Sequence, residues 1–430
     1  MLRNKFVVAT LVLLIGGFIS KFLGFILKII ITRLIGLEGI GLYSLVMPTF
    51  GLFSTLAIFS FPIAISKIVA EEKKRSKNVL LSIIPVSILM NIGFILLIFI
   101  LAPTISEAFL KEPRTYYPIL AIALTMPFIG ISSIIKGYFW GKQRMLPYII
   151  SNISEQIVRL SLLIFFVPIL IEKSLVLTIT MIILVNILSE TVSIIVMLFS
   201  FPKNAKIKKE DLKPDKENIK EVMDVSIPST SSKIVGSIAY FFEPVILTNT
   251  LLFVGYSNNF ILEEYGILNG YSLSLLLIPQ FFSQSISTAL IPEVSKLYSM
   301  GNKQKCKKRV KQIILLSLSI GFITTLILFL FPEFFLNLLF GEVQGVEYIR
   351  ILAPFMLLYF IDLPIISSLQ ALNRAKANMV ITILGSLIKL LLIFSLSLLK
   401  IGIYGLVISI IVNLMLVTFL NYKALKKTLE

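Results

Sequence analysis

Ser20-Lys21-Phe22-Leu23-Gly24 lies inside an apolar run that begins at Phe6 and continues past Ile30. A cation in hydrocarbon costs at least ~2.5–3.5 kcal/mol even on the lenient insertion scale. The pattern returns as Ser232-Lys233-Ile234-Val235-Gly236, again inside a stretch apolar enough to cross a bilayer. Two more pairs follow in the same order. Ile65-Ser66-Lys67 matches Val294-Ser295-Lys296, and the segment from Gly137 to Arg144 matches that from Ser367 to Arg374. The last spacing sets Arg159 opposite Lys389. The shorter spacing of the first pair fits a longer external loop from Leu251 to Glu264. The chain therefore reads as two related membrane lobes with a cationic interior.

The rest of the chain agrees. Of 430 residues, 57% are hydrophobic, and the mean hydropathy is +0.95. That excludes the soluble globular class. Apolar runs of roughly 20 residues, the length that spans a bilayer, recur about twelve times. They fall near 7–33, 43–66, 79–103, 116–138, 147–171, 175–200, 223–250, 265–290, 312–333, 347–369, 379–399 and 403–421. Long continuous runs exclude a closed barrel, whose strands alternate. The first run is too long for a signal-peptide core and leads straight into others. The expected fold is all-α: a polytopic membrane protein of about twelve transmembrane helices in two pseudo-symmetric six-helix lobes. Its divisions are an N-terminal lobe over 1–200, a charged cytoplasmic linker over 201–222 and a C-terminal lobe over 223–430.

Basic residues fix the expected orientation. Arg3, Lys5, Lys67, Lys73, Lys74, Arg75, Lys77, seven lysines from Lys203 to Lys220, the set from Lys296 to Lys311, and Lys423, Lys426 and Lys427 all fall on one side of a twelve-span chain. The opposite loops hold little beyond Lys111, Arg114, Lys173 and Lys400. Both termini are expected in the cytoplasm of a multi-pass protein of the cell membrane. Each half then has an even number of spans, so the repeat is parallel. The formal charge of +17 reads as topology and attraction to anionic headgroups. No aromatics interleave the basic runs, so no nucleic-acid partner is expected.

The candidate site is a set of cations: Lys21, Lys28, Arg159, Lys233 and Lys389. Gly17, Lys21, Gly24 and Lys28 share one face of the first helix. Arg33 follows near its outer end. Supporting polar residues are Asn152, Glu155, Gln156, Glu243, Gln280 and Gln284. Converging cations in a low-dielectric cleft attract phosphate, and lysine meets it as a mobile point charge. Each residue also has a plainer reading. Glu155 and Arg159 form an i,i+4 pair. Lys233 can snorkel to the interface, and Arg33 can anchor there. Glu243 can hold a proton or sodium, or pair with Lys233. Lys21 and Lys28 have no acid on their own helix, which favours function. Prolines within spans (Pro48, Pro62, Pro85, Pro127, Pro279, Pro354 and Pro364) mark kinks.

Enzyme chemistry has little foothold. Histidine is absent and the one cysteine, Cys306, lies in a lysine-rich loop. That leaves no disulfide, no cysteine metal site and no His-based acid–base pair. No Gly-rich phosphate loop occurs. No cofactor and no metal are expected, and energy comes from an ion gradient (H+ or Na+), the membrane potential or substrate flux.

Several motifs resemble the stage V sporulation protein B group. They are Gly17 to Phe25, Arg33 to Tyr43, Pro62 to Lys67, Pro113 to Pro118, Gly137 to Met145 and Glu155 to Arg159. The group belongs to the polysaccharide-exporter branch of the superfamily shared with MurJ-type lipid II flippases and MATE multidrug exporters. The likeness is close over residues 10–160 and looser beyond. It implies two six-helix lobes around a V-shaped cavity. It also implies export of an undecaprenyl-pyrophosphate-linked saccharide, a lipid-linked oligosaccharide partner of the peptidoglycan or spore-cortex kind. Lys21 falls on a basic cavity position of MurJ-type proteins; the next such position aligns with Leu27, one residue before Lys28. MurJ-type members carry two further carboxy-terminal helices, and about twelve spans are expected here. The alternatives are a MATE-like cation-coupled antiporter of small organic molecules and a membrane enzyme acting on the same lipid. A basic helix interior argues against the first, and the missing catalytic motifs against the second.

Overall fold

The computed structural model describes residues 2–71, 76–201 and 215–429. Lys73, Lys74, Arg75 and most of the charged linker lie outside the described residues. All regular structure among those described is helical, as lipid demands of an open chain whose backbone must satisfy itself.

Fifteen α-helices follow one another: α1 (Leu2–Ile58), α2 (Phe61–Ala70), α3 (Ser76–Pro103), α4 (Tyr116–Gly141), α5 (Met145–Ile171), α6 (Leu175–Phe199), α7 (Lys216–Phe253), α8 (Asn258–Gly266), α9 (Leu273–Leu276), α10 (Gln280–Ser299), α11 (Lys303–Leu330), α12 (Pro332–Phe340), α13 (Val346–Ala371), α14 (Ala375–Ser397) and α15 (Tyr404–Leu429). Ten described stretches are long and apolar enough to cross a membrane. One of them, Ile15–Ala70, is 56 residues long. At ~1.5 Å per residue that is far more than one crossing. Its helix breaks at Gly36, where φ is 67° and ψ is −172°, a conformation open to glycine alone. The first expected span is thus the first part of α1, and the second is the rest of α1 followed by α2, the two joined at Gly36 by a break instead of a loop.

The eighth expected span, 265–290, differs more. It is not one helix but α8, a π-helical turn over Ile267–Ser272, α9 and α10. Pro279 supplies no N–H and forms the N-cap of α10, so the path breaks here where other prolines only kink their helices. With α1 counted as two, the ten stretches hold eleven of the expected crossings, and the twelfth falls on this broken stretch, which is not among the ten.

The helices form two compact units. The first comprises Met1–Ile35 and Leu45–Phe241. In it α6 packs on α4 and α5, α3 on α4, and α2 on α4. The α2–α4 contact is built from small residues. A Cβ on Gly137 would stand 2.6 Å from the Pro62 Cα, and one on Gly141 2.7 Å from the Ser66 oxygen. Close backbone approach of this kind replaces hydrophobic collapse as the glue between helices in lipid. Around it Phe61, Ile65, Ile83, Ile134, Phe139 and Met197 form a buried core. α7 joins this unit through Thr55 and Ser237, whose hydroxyl oxygens are 2.8 Å apart.

The second unit comprises Gly36–Ser44 and Phe242–Glu430. Here α13 packs on α10, α11 and α15, and α14 on α15. Gly41 lies against Gly266, on which a Cβ would come 2.8 Å from the Gly41 Cα. The buried core includes Cys306, Val310, Ile365, Leu369 and Leu425. The packing units thus change hands inside α1 and α7, whereas the sequence repeat divides in the linker.

Candidate functional site

The lysine face of α1 is open. Nothing lies within 4 Å of a Cβ built on Gly17, and beside Gly24 only the Gln156 Oε1 does, at 3.9 Å. One step round the helix, Gly16 is packed hard on the Ile149 side chain of α5. One face of α1 therefore seals against α5, and the next leaves room beside the lysines. Lys21 is exposed and Lys28 half-buried. Lys21 makes no hydrogen bond or salt bridge among the described residues. Arg33 is exposed, three residues before the Gly36 break.

Lys233 repeats this arrangement on α7. It is exposed and makes no salt bridge among the described residues. A Cβ on Gly236 would meet nothing within 4 Å. Both copies of the Ser-Lys-x-x-Gly pattern thus pair an exposed lysine with an unfilled slot. The sequence suggested Glu243 as a partner for Lys233; the structure gives Glu243 to another residue.

The polar stripe of α5 divides. Glu155 and Arg159 belong to a buried network with α4 and α6. Arg159 Nη2 lies 2.8 Å from Glu155 Oε1, and Lys136 Nζ 3.0 Å from Glu155 Oε2. Lys136 Nζ also stands 3.6 Å from Glu190 Oε2. The Arg159 guanidinium donates to the Ser189 hydroxyl. Two acids and two bases cancel within one cluster, as buried charges must when water is excluded. Arg159, expected among the substrate cations, is therefore bound up locally. Lys136 escaped the sequence reading altogether. Its signal was a lysine inside the fourth apolar run with acids available only on other helices.

Asn152 and Gln156 lie apart from that network and are half-buried. The Gln156 Oε1 is buried and accepts no hydrogen bond.

In the second unit Lys389 of α14 donates to Glu243 of α7. The glutamate side chain is 7% exposed and the lysine 20%, so this pair too is largely withdrawn from solvent. Lys389, like Arg159, is thus held by a carboxylate. Both repeat-related cations, Arg159 and Lys389, have acquired carboxylate partners, though from different helices. Gln280 hydrogen-bonds Tyr359, Gln284 is half-buried, and Asn421 donates to Asp362 at 3.0 Å.

What the geometry offers chemically is exposed cations beside open space on α1 and, separately, on α7. The charge pairs elsewhere hold helices together.

Residues 6–298 match the family described as Polysaccharide biosynthesis protein, and residues 238–395 match the family described as MatE. The chain is 35% identical to Stage V sporulation protein B of Bacillus subtilis (strain 168) over 440 aligned residues, covering 100% of this chain and 85% of that protein. It is 22% identical to Lipid II flippase MurJ of the same organism, covering 91% of this chain and 77% of that one. Among solved structures, an inward-facing multidrug resistance MATE family transporter of the MOP superfamily superposes with a TM-score of 0.78 at 16% identity. That match covers 95% of this chain and 94% of the other. At that identity the match shows the fold alone, an all-α polytopic membrane fold.

Proposed function

Since this chain belongs to the polysaccharide biosynthesis protein family, we propose that it carries a lipid-linked saccharide across the cytoplasmic membrane by alternating access. The carrier is undecaprenyl pyrophosphate and the saccharide a cell-wall or spore-cortex precursor. Full-length similarity to a sporulation protein and to a lipid II flippase supports this reading.

The observation that carries it is the open face of α1. Lys21 is exposed with unfilled space at Gly17 and Gly24 beside it. A doubly charged pyrophosphate meets Lys21 and Lys28 there, while the prenyl chain stays in lipid. Lys233 offers a further exposed cation in the same unit. Arg159 and Lys389 stay with Glu155 and Glu243 and hold the scaffold. Asn152 and Gln156 support the site, and Arg33 anchors the outer end of the first span. Gln280 and Gln284 belong to the second unit and take no part in this ligand set. Both termini face the cytoplasm. The chain forms no bond in its substrate; movement draws on H+ or Na+, on the membrane potential, or on substrate flux.

A second reading, a MATE-like antiporter of small organic cations, is favoured by the MatE match over 238–395. Exposed lysines repel such a substrate, and a cation exporter needs net acid instead.

Binding of purified protein to lipid II and to undecaprenyl pyrophosphate, followed by native mass spectrometry, tests the proposal. Wild type is expected to retain both lipids, and Lys21→Ala with Lys28→Ala to lose both. Absence of binding in wild type, or binding indifferent to the two lysines, overturns it and favours the antiporter.

A further inference from the structure

We infer that Tyr240 of α7 reads the saccharide: its exposed ring stacks on the apolar face of a pyranose of the lipid-linked substrate. This deepens the function proposed above and rests on it.

The two copies of the lysine face differ at one telling position. In the alignment that sets Lys21 against Lys233, Gly17 meets Ser229, Gly24 meets Gly236 and Lys28 meets Tyr240. On α7, Ser229, Lys233, Gly236 and Tyr240 share one face of the helix. Lys233 and Tyr240 are exposed, and a Cβ on Gly236 would meet nothing within 4 Å. Both faces thus have a first cation and an open glycine, but α7 carries an aromatic ring where α1 carries a second cation. Two lysines suit a pyrophosphate. A lysine and a tyrosine suit an anion joined to a sugar, because the negative face of an aromatic ring attracts the partly positive C–H groups of a pyranose.

That face does not look into lipid. α7 also exposes Ile227 and Ile238. At about 100° per residue they lie roughly 120–160° round the helix from Lys233 and Tyr240. Ile15 and Ile19, also exposed, stand in the same relation to Lys21 on α1. The apolar side suits hydrocarbon, and the side with the lysine does not. Depth excludes a place in the aromatic belt at the membrane surface. Tyr240 lies roughly 10 Å along the axis past Lys233, and roughly 20 Å before α7 ends at Phe253.

The ring is also held in position. Ser237, three residues before it, meets Thr55 of α1 at 2.8 Å. The ring edge stands 3.7 Å from where a Cβ on Gly51 would be. The glycine leaves room for the ring beside α1, yet Tyr240 remains 45% exposed. All these residues belong to the first unit. A tyrosine fixed in this way offers a large contact area at little entropic cost, having two χ angles to restrain.

The test compares dissociation constants of detergent-solubilised protein for lipid II and for undecaprenyl pyrophosphate, which share the anion and differ in the sugar. Wild type is expected to prefer lipid II by about 2- to 12-fold, the scale of one aromatic contact. Tyr240→Phe keeps the ring and should keep that preference. Tyr240→Leu should lose it and bind undecaprenyl pyrophosphate as wild type does. Tyr240→Met takes its place if the leucine variant does not fold. Equal binding of the two lipids by wild type overturns the inference, and so does a preference that survives loss of the ring. Loss of the preference in Tyr240→Phe would assign it to the hydroxyl and overturn stacking. An equal fall in affinity for both lipids in Tyr240→Leu would leave the ring a structural role alone. Failure of the underlying flippase reading looks different: wild type then binds neither lipid, or binds both regardless of Lys21 and Lys28.

Discussion

At the residue scale, one carboxylate decides whether a lysine in the membrane is glue or ligand. Lys389 has Glu243, and Lys136 has Glu155 and Glu190. Removing one partner of a buried pair leaves the other charge uncompensated, at about 3–5 kcal/mol. Glu243→Gln should therefore lower the melting temperature of the purified protein sharply. Adding Lys389→Met should restore most of the loss, because replacing both partners by neutral groups of similar size is nearly free. Simple additivity of the two single effects in this cycle would sink the pairing account. The cycle also separates roles, since a pair that only holds helices together leaves lipid binding intact in the double variant. Lys21 and Lys28 were legible in the sequence because their helix carries no acid within reach. Lys136, Glu190 and Glu243 were not assignable, because their partners come from other helices, from the very next one to one more than a hundred residues away. Only Glu155 and Arg159, an i,i+4 pair, could be matched from spacing.

At the element scale, glycines with the same letter do opposite things. Gly137 and Gly141 sit where α4 meets the backbone of α2, and neither neighbour is a flexible side-chain tip. Gly17 borders open space. Gly137→Leu should thus destabilise by about 1–3 kcal/mol or more through overpacking. Gly17→Ala should be neutral or slightly stabilising, since alanine is the better helix former by ~1 kcal/mol. Thermal unfolding in detergent ranks the two, and the reverse order would refute the packing described for both. Composition alone could not tell these glycines apart, although their lengths and apolar runs located the helices that carry them. The same limit explains α8 to α10. A hydropathy run reports how apolar a stretch is and not whether Pro279 and a π-helical turn break its path.

At the scale of the whole molecule, the broken stretch carries the topology. Ten stretches qualify as spans by length and composition, and the segment holding α8, α9 and α10 is not among them. If it crosses, the count is twelve, the repeat is parallel, and the basic loops share one side. If it does not, every residue after it changes side, and the lysines of α11 face away from those near the amino terminus. The positive-inside rule makes the first arrangement the favourable one. Four exposed positions decide the matter: Lys111, Lys296, Lys400 and Lys423. In a Cys306→Ser background, single cysteines at 111 and 400 should react with a membrane-impermeant maleimide in intact cells. Cysteines at 296 and 423 should react only after permeabilisation. Labelling of 296 and 423 from outside, with 400 protected, would mean that the α8–α10 stretch turns back. The parallel repeat, and with it the correspondence of Arg159 to Lys389, would then fall, while the lysine face of α1 would stand untouched, because it lies wholly before the break.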